Sequence, residues 1–269
     1  MSYETLEVKI DERGVAYVTL NLPNKRNVLS AQMIADLTDM AGTLGGATET
    51  RAIVLSGAGK VFCAGGDLTW MKAQIGADRP TRMREARKLA EMLNALNTMP
   101  TPLIGRIHGG VFGGGVGMAC VCDVAIADDT TKFGLTETRL GLIPATIGPY
   151  VVARMGEGKA RRVFMSARLF DAKEAASLGV VARAVPSVDL NAAVEAEVVP
   201  YLSAAPGAVG AAKALARKLG PRIDAEVIDD TIYRLADTWE GDEATRGIAA
   251  FFAKADAPWA AGKKERDHD

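Results

Sequence analysis

The stretch from Gly105 to Gly148 limits what this chain can fold into more than any other. It grows out of a short apolar run, Pro102-Leu103-Ile104-Gly105-Arg106-Ile107, whose length and bounding residues predict a buried strand. Glycines at 109, 110 and 113–115 follow, then small residues from Val116 to Cys122 that suit a tightly packed helix. A strand that turns through glycines into a helix leaves backbone N–H groups unpaired at the helix start, and these carry partial positive charge. Glycine lets a ligand approach them where a Cβ would stand in the way. Developing negative charge can be held there. Further on comes a carboxylate, Glu137, in Phe133-Gly134-Leu135-Thr136-Glu137. An anion-holding turn and a carboxylate in one unit are the parts of a proton-transfer site. Close packing of helix on sheet also calls for glycine runs. No Gly-Lys-Ser or Gly-Lys-Thr follows the glycines, so the turn does not read as a phosphate loop. Nor does an acidic residue end a second strand at the distance a dinucleotide-binding unit needs.

The chain's bulk properties set the context. Its 269 residues are 48% hydrophobic and 24% charged, with a net charge of −1. This predicts a soluble globular protein of one large domain, or one domain with an appendage. Near-neutrality gives no electrostatic case for nucleic acid or an anionic membrane. Cys63, Cys120 and Cys122 are too few for a disulfide framework, and Cys120-x-Cys122 has the wrong spacing for the usual zinc pairs. They read as reduced, the last two as small core residues, and no metal site is expected. The N-terminus, MSYETLEVKIDERG, is polar and contains acids, unlike a signal or transit peptide. No apolar run is long enough to span a membrane. The expected location is cytoplasmic.

Taken in order, Leu6-Glu7-Val8-Lys9-Ile10 alternates apolar and polar, and Gly14 to Leu20 follows across a hairpin bridge, Asp11 to Gly14. Ser30 can cap a helix whose apolar face is Met33, Ile34, Leu37, Met40, Ala41 and Leu44. Ala52-Ile53-Val54-Leu55-Ser56-Gly57 predicts a parallel strand buried on both faces. A second glycine turn, Phe62-Cys63-Ala64-Gly65-Gly66-Asp67-Leu68, comes after it, with Asp67 placed to cap a helical turn. Were the two strands neighbours in a sheet, the N–H groups freed at their two turns would converge. Arg79 to Met99 reads as a long amphipathic helix ended by Pro100 and Pro102. Helices are expected at Pro149–Met155, Ala160–Met165 and 171–179, and a strand at 180–185. From Asn191 to Lys254 only helices are expected, broken at Pro206 and Gly220-Pro221. The Lys263-to-Asp269 tail reads as solvated. The whole pattern predicts an α/β core followed by helices that pack on the core or on another subunit.

From Val8 to about Trp259 the chain resembles the crotonase superfamily, also called the enoyl-CoA hydratase/isomerase family. The residues that carry the resemblance are Phe62 to Asp67, His108-Gly109 through Gly113-Gly114-Gly115, Cys122-Asp123, Phe133-Gly134 to Pro144, and the turn from Ala175 to Gly179. It implies an α/β, crotonase-like (ClpP/crotonase) spiral of ββα turns over residues 1–200, with an acyl-CoA site. It implies a C-terminal helical trimerisation region over 201–269, in a homotrimer or a homohexamer built as a dimer of trimers. The implied partner is an acyl-CoA thioester, with coenzyme A as part of the substrate and no separate cofactor.

By motif position the resemblance makes the N–H groups of Gly66 and Gly114 the pair that holds the thioester oxygen as it becomes enolate-like, and Glu137 the acid–base group. The CoA arm would pass Lys25, Arg26 and Val28 and the turn of Ala64, Gly65, Asp67 and Leu68. Phe251 and Lys254 match C-terminal positions that approach CoA. Asp67 and Asp123 read instead as a helix cap and a hydrogen-bonded buried carboxylate, and His108 as structural. Straight-chain hydratases carry a second carboxylate where this chain has Gly117. The expectation is that Gly117 leaves room there for part of the acyl group, which puts it among the substrate-binding residues. Gly117 and the Gly141-to-Tyr150 run are most like the methylglutaconyl-CoA hydratase branch. Ala145 stands where the family's dehalogenases have an aspartate, so dehalogenation is not expected. The leading expectation is a lyase adding water to, or removing it from, a 2-enoyl-CoA, such as the branched, acidic 3-methylglutaconyl thioester. A Δ3–Δ2-enoyl-CoA isomerase needs only one carboxylate and is the rival enzyme. A non-catalytic acyl-CoA binder is the third reading.

Overall fold

A computed structural model describes residues 2–260. The chain opens with the expected hairpin, β1 (Leu6–Ile10) antiparallel to β2 (Val15–Leu20), in the register Leu6 opposite Leu20. The main sheet then grows by parallel pairing. β2 lies beside β3 (Ala52–Gly57), β3 beside β4 (Leu103–Ile107), β4 beside β6 (Val124–Asp128), and β6 beside β9 (Arg183–Val185). Ala52, Ile53, Val54 and Leu55 are all buried, as a strand covered on both faces requires. A second sheet sets β7 (Lys132–Gly134) between β5 (Gly110–Phe112) and β8 (Leu169–Asp171).

The two sheets are stitched together by a repeated unit. β4 enters the main sheet, β5 the small one, and α4 (Gly114–Val121) follows. β6 and β7 repeat the pattern and lead to α5 (Gly148–Met155) and α6 (Glu157–Phe164). β3 is followed by a one-residue bridge at Cys63, then by α2 (Leu68–Ile75) and α3 (Arg79–Thr98). This is the strand–strand–helix spiral that the resemblance implies. Before it, Ser30 caps α1 (Ala31–Thr43) through the Met33 N–H, as expected.

Only three of the six residues expected as a strand at 180–185 pair in the sheet. α7 (Ala172–Leu178) ends in a left-handed Gly179, and the Val180 N–H bonds back to Ala175 O at 2.9 Å. The helix cap therefore draws in the start of the apolar run.

The helices after β9 cover this chain's own core. α8 (Leu190–Ser203) sets Leu190, Val194 and Val198 on Val15, Val54, Ile104 and Ile126, closing one face of the main sheet. α10 (Ala225–Glu240) sets Ile228 and Ile232 on Ala86 and Ala90 of α3. α11 (Asp242–Phe252) joins Ala244 and Ile248 to Leu142 and Trp239. Ile228 and Ile232, which lie in the expected trimerisation region, are thus used within the chain, with Ile223 and Leu235 packed against them. Leu215 and Leu219 on α9 (Pro206–Leu219) remain 57% and 79% exposed. Among the described residues no helix is long and apolar enough to cross a membrane. The expected tail from Lys263 lies outside the described residues.

Candidate active site

Three short parallel segments build the site. Cys63 pairs with Val111, and Val111 with Phe133. Phe62 N–H donates to His108 O, Cys63 N–H to Gly110 O and Phe112 N–H to Cys63 O, at 3.0–3.2 Å. Because the three segments run the same way in one register, they end at the same edge of the sheet. Gly66 lies three residues past Cys63, Gly114 three past Val111, and Glu137 four past Phe133. The convergence expected from two glycine turns on neighbouring strands is therefore present, since β3 and β4 are adjacent. The ladder adds Glu137 to it.

Among the described residues neither the Gly66 nor the Gly114 N–H donates to a protein acceptor. Gly114 opens α4, where the free N–H groups and the helix dipole both favour an anion. Space where a Gly66 Cβ would stand is open. The preceding Gly113 has φ +48°, and an atom at its Cβ position would lie 3.0 Å from Glu137 Oε1. Gly113 is thus where the carboxylate rests against the start of α4, and no L side chain suits that position.

Glu137 opens the short 3-10 turn Glu137–Leu140. Its Oε2 is sealed from solvent with no hydrogen-bond partner among the described residues. Burial pushes its carboxyl up to about 7, against a smaller opposing pull from its own backbone N–H. Such a group holds or releases a proton near neutral pH, which is what general acid–base chemistry needs.

The residues expected along the CoA arm come together beside this edge. Ala64 N–H donates to Arg26 O at 3.0 Å and Leu29 N–H to Gly65 O at 2.8 Å, so the Lys25-to-Val28 loop is tied to the second glycine turn. Lys25, Arg26 and Leu68 are exposed, while Asp67 is buried and accepts from Thr69 N at 2.6 Å as the cap of α2. Asp123 accepts from the Leu103 N–H and from Lys213 Nζ, at 2.8 and 2.6 Å, and is structural as expected. His108 holds Gly59 O through Nε2 at 3.0 Å. Phe251 stacks edge-on against Phe252 near the end of α11, and Lys254 follows with φ +54°.

Gly117 corrects an expectation. It leaves no room: a Cβ there would lie 2.5 Å from Ile147 Cγ2, 3.0 Å from Ile147 Cβ and 3.7 Å from a Leu93 methyl. Ile147, 2% exposed, already fills the space. The missing side chain is compensated locally by a bulky neighbour, so Gly117 itself is packed against protein.

Two contributors escape a reading of the sequence. Asn27 is fully buried with φ +51°; its amide donates to Ala58 O and Val61 O at 2.8 and 2.9 Å and accepts from Leu22 N at 2.9 Å. It clamps the cationic loop in its left-handed bend. The one available signal was an Asn in a polar loop with one proline, since Asn tolerates that conformation best after Gly. The other is α11, which backs the Glu137 turn: Gly247 faces Leu140 and Gly141 faces the backbone of Glu243 and Ala244, each at about 2.6 Å or less from the absent Cβ.

Known proteins are similar to this chain in sequence and fold. The sequence pattern of the enoyl-CoA hydratase/isomerase family matches residues 11–262. The chain is 32% identical over 251 residues to the enoyl-CoA hydratase ACTT6 of Alternaria alternata, covering 93% of this chain and 80% of that one. Among solved structures it is similar to an enoyl-CoA hydratase from Shewanella pealeana, 33% identical, TM-score 0.78, covering 96% of this chain and 97% of the other. It is also similar to an enoyl-CoA hydratase/isomerase from Marinobacter aquaeolei, 35% identical, TM-score 0.76, covering 95% and 99%.

Proposed function

The chain belongs to the enoyl-CoA hydratase/isomerase family, and from that premise we propose that it hydrates and dehydrates a 2-enoyl-CoA at Glu137. The function is of the enoyl-CoA hydratase type; the residue roles and the acyl group are the proposal. Gly66 and Gly114 N–H groups hold the thioester oxygen as negative charge gathers on it. Donors placed in advance at such an oxygen each contribute roughly 3–4 kcal/mol when tested by removal. Glu137 takes a proton from water as the new C–O bond forms, and the same carboxyl then delivers that proton to the carbon next to the thioester. The observation that carries this reading is the buried Glu137 carboxyl, poised at about 7 beside two free N–H donors. CoA arrives as part of the substrate, past Lys25, Arg26 and Val28, and no separate cofactor takes part. A cytoplasmic homotrimer or homohexamer completes the proposal.

The acyl group we propose is branched and acidic, such as 3-methylglutaconyl. Its support is the Gly141-to-Tyr150 run; the room once expected at Gly117 does not support it, because Ile147 occupies that space. The same observation favours a second reading. One carboxylate, with no second one possible at Gly117, suffices to carry a proton between two carbons, as in a Δ3–Δ2-enoyl-CoA isomerase. Incubating the protein separately with 3-methylglutaconyl-CoA, crotonyl-CoA and a 3-enoyl-CoA, with products read by mass, tests both. A gain of one water from the 2-enoyl substrates is expected, with the higher kcat/KM on the branched one. Isomer formed from the 3-enoyl substrate without any hydroxyl product would establish the isomerase instead. A crotonyl preference of tenfold or more would remove the branched acidic acyl group.

A further inference from the structure

The first turn of α4 presents its glycines as a face, and three side chains from distant parts of the chain cover it. Glu137 Oε1 lies against Gly113, a Leu29 methyl against Gly114, and Ile147 against Gly117. Gly117 is one helical turn beyond Gly114, on the same side of α4, and its N–H bonds to Gly113 O at 3.2 Å. Glu137 and Ile147 thus rest against two glycines that one backbone hydrogen bond joins. Ile147 is held there by α5, for which it is the N-cap residue, and its carbonyl accepts from the Val151 N–H at 3.1 Å. A side chain grown from Gly117 has nowhere to go while Ile147 keeps its place.

We propose that Ile147 is the specificity-determining residue of this site: its branched side chain bars a second acid–base group at Gly117 and sets the width of the acyl space beside Glu137. The proposal rests on the reading of Glu137 as the acid–base group of an enoyl-CoA hydratase. Gly117 and Ile147 form a size-matched pair, so neither can change alone without cost to the other. A single methylene in an apolar pocket discriminates substrates by about 10–200-fold, which is the range the pair should command.

Four variants test this: Ile147→Ala, Ile147→Val, Gly117→Glu, and Ile147→Ala combined with Gly117→Glu. Each is measured for kcat/KM on crotonyl-CoA and on a 3-branched 2-enoyl-CoA, and for binding of CoA alone by calorimetry. Ile147→Ala should shift the ratio toward the branched substrate by about tenfold or more, with CoA binding nearly unchanged. Ile147→Val should shift it the same way by less, and it carries the test if the alanine variant does not fold. Gly117→Glu alone should lose activity on both substrates. The combined variant should hydrate crotonyl-CoA at least about tenfold faster than Gly117→Glu alone, because the carboxylate then has space. An unmoved substrate ratio in both single Ile147 variants, or a combined variant no better than Gly117→Glu, overturns the assignment. An unmodified protein inert to every 2-enoyl-CoA and 3-enoyl-CoA defeats the proposed function itself, a separate result from an active enzyme whose ratio does not move.

Discussion

Glu137 shows how burial and chemistry are coupled in one residue. Its carboxyl is held near 7 by burial, against an ordinary value of 4.5. As a base it must be ionised, so kcat/KM for hydration should rise with pH through about 7 and level off above. Glu137→Gln should lose at least about 10²-fold in turnover and abolish that limb of the profile, while CoA binding changes little. Stability runs the other way. The folded chain holds this proton between about 4.5 and 7 where the unfolded chain releases it, so folding is favoured less as pH rises through that window. The full penalty, up to roughly 3 kcal/mol, is present above pH 7 and absent below about 4.5. Denaturant unfolding of Glu137→Gln against the unmodified protein should show a stabilised variant at pH 8 and no difference at pH 4.5. Asn27 is the opposite case, polar and wholly satisfied. Asn27→Ala strands two carbonyls and one N–H and should cost about 2–4 kcal/mol, with weaker CoA binding because the Lys25-to-Val28 loop loses its clamp. Unchanged unfolding midpoint and CoA affinity would show that the loop holds itself.

At the scale of elements, legibility followed local chemistry. The hairpin, the capped α1, the all-apolar β3 and the glycine turns could be read because each is signalled by its own residues: alternation, a Ser cap, an unbroken apolar run. β5, β7 and β8 have three residues each, too short for a period to show, and exist because neighbours pair with them. Glu137 was legible as a carboxylate near glycines; its company with Gly113 needed the strand register. Ile147 could not be read as the partner of Gly117, since thirty positions of chain separate them and only packing joins them. The backing of the Glu137 turn by α11 was hidden likewise. Gly247→Val would drive a side chain into Leu140, whose carbonyl carbon and oxygen lie 2.6 Å from the Cβ position. The expected result is a loss of kcat of about tenfold or more, because displacements near 1 Å at a reacting group already cost that much. CoA affinity, measured by calorimetry, should fall less than kcat, since the Ala64–Arg26 backbone bond that ties the CoA loop does not involve α11.

For the whole molecule, the C-terminal helices serve their own chain first, yet α9 leaves Leu215 and Leu219 open to solvent. We expect these two to be covered by another copy in a trimer or hexamer. Leu219→Asp should lower the mass seen by light scattering without lowering helix content; a monomeric unmodified protein at micromolar concentration would remove the assembly proposal. The three-segment ladder that ends in Gly66, Gly114 and Glu137 also has a kinetic meaning. Its members, Cys63, Val111 and Phe133, lie 48 and 22 positions apart, and each pairing closes a loop before any contact repays that closure. Helices α3 and α10 draw on local bonds and can appear early. During refolding from denaturant, recovered turnover should therefore lag recovered circular dichroism, with the oxygen-holding pocket among the last parts of the protein to become real.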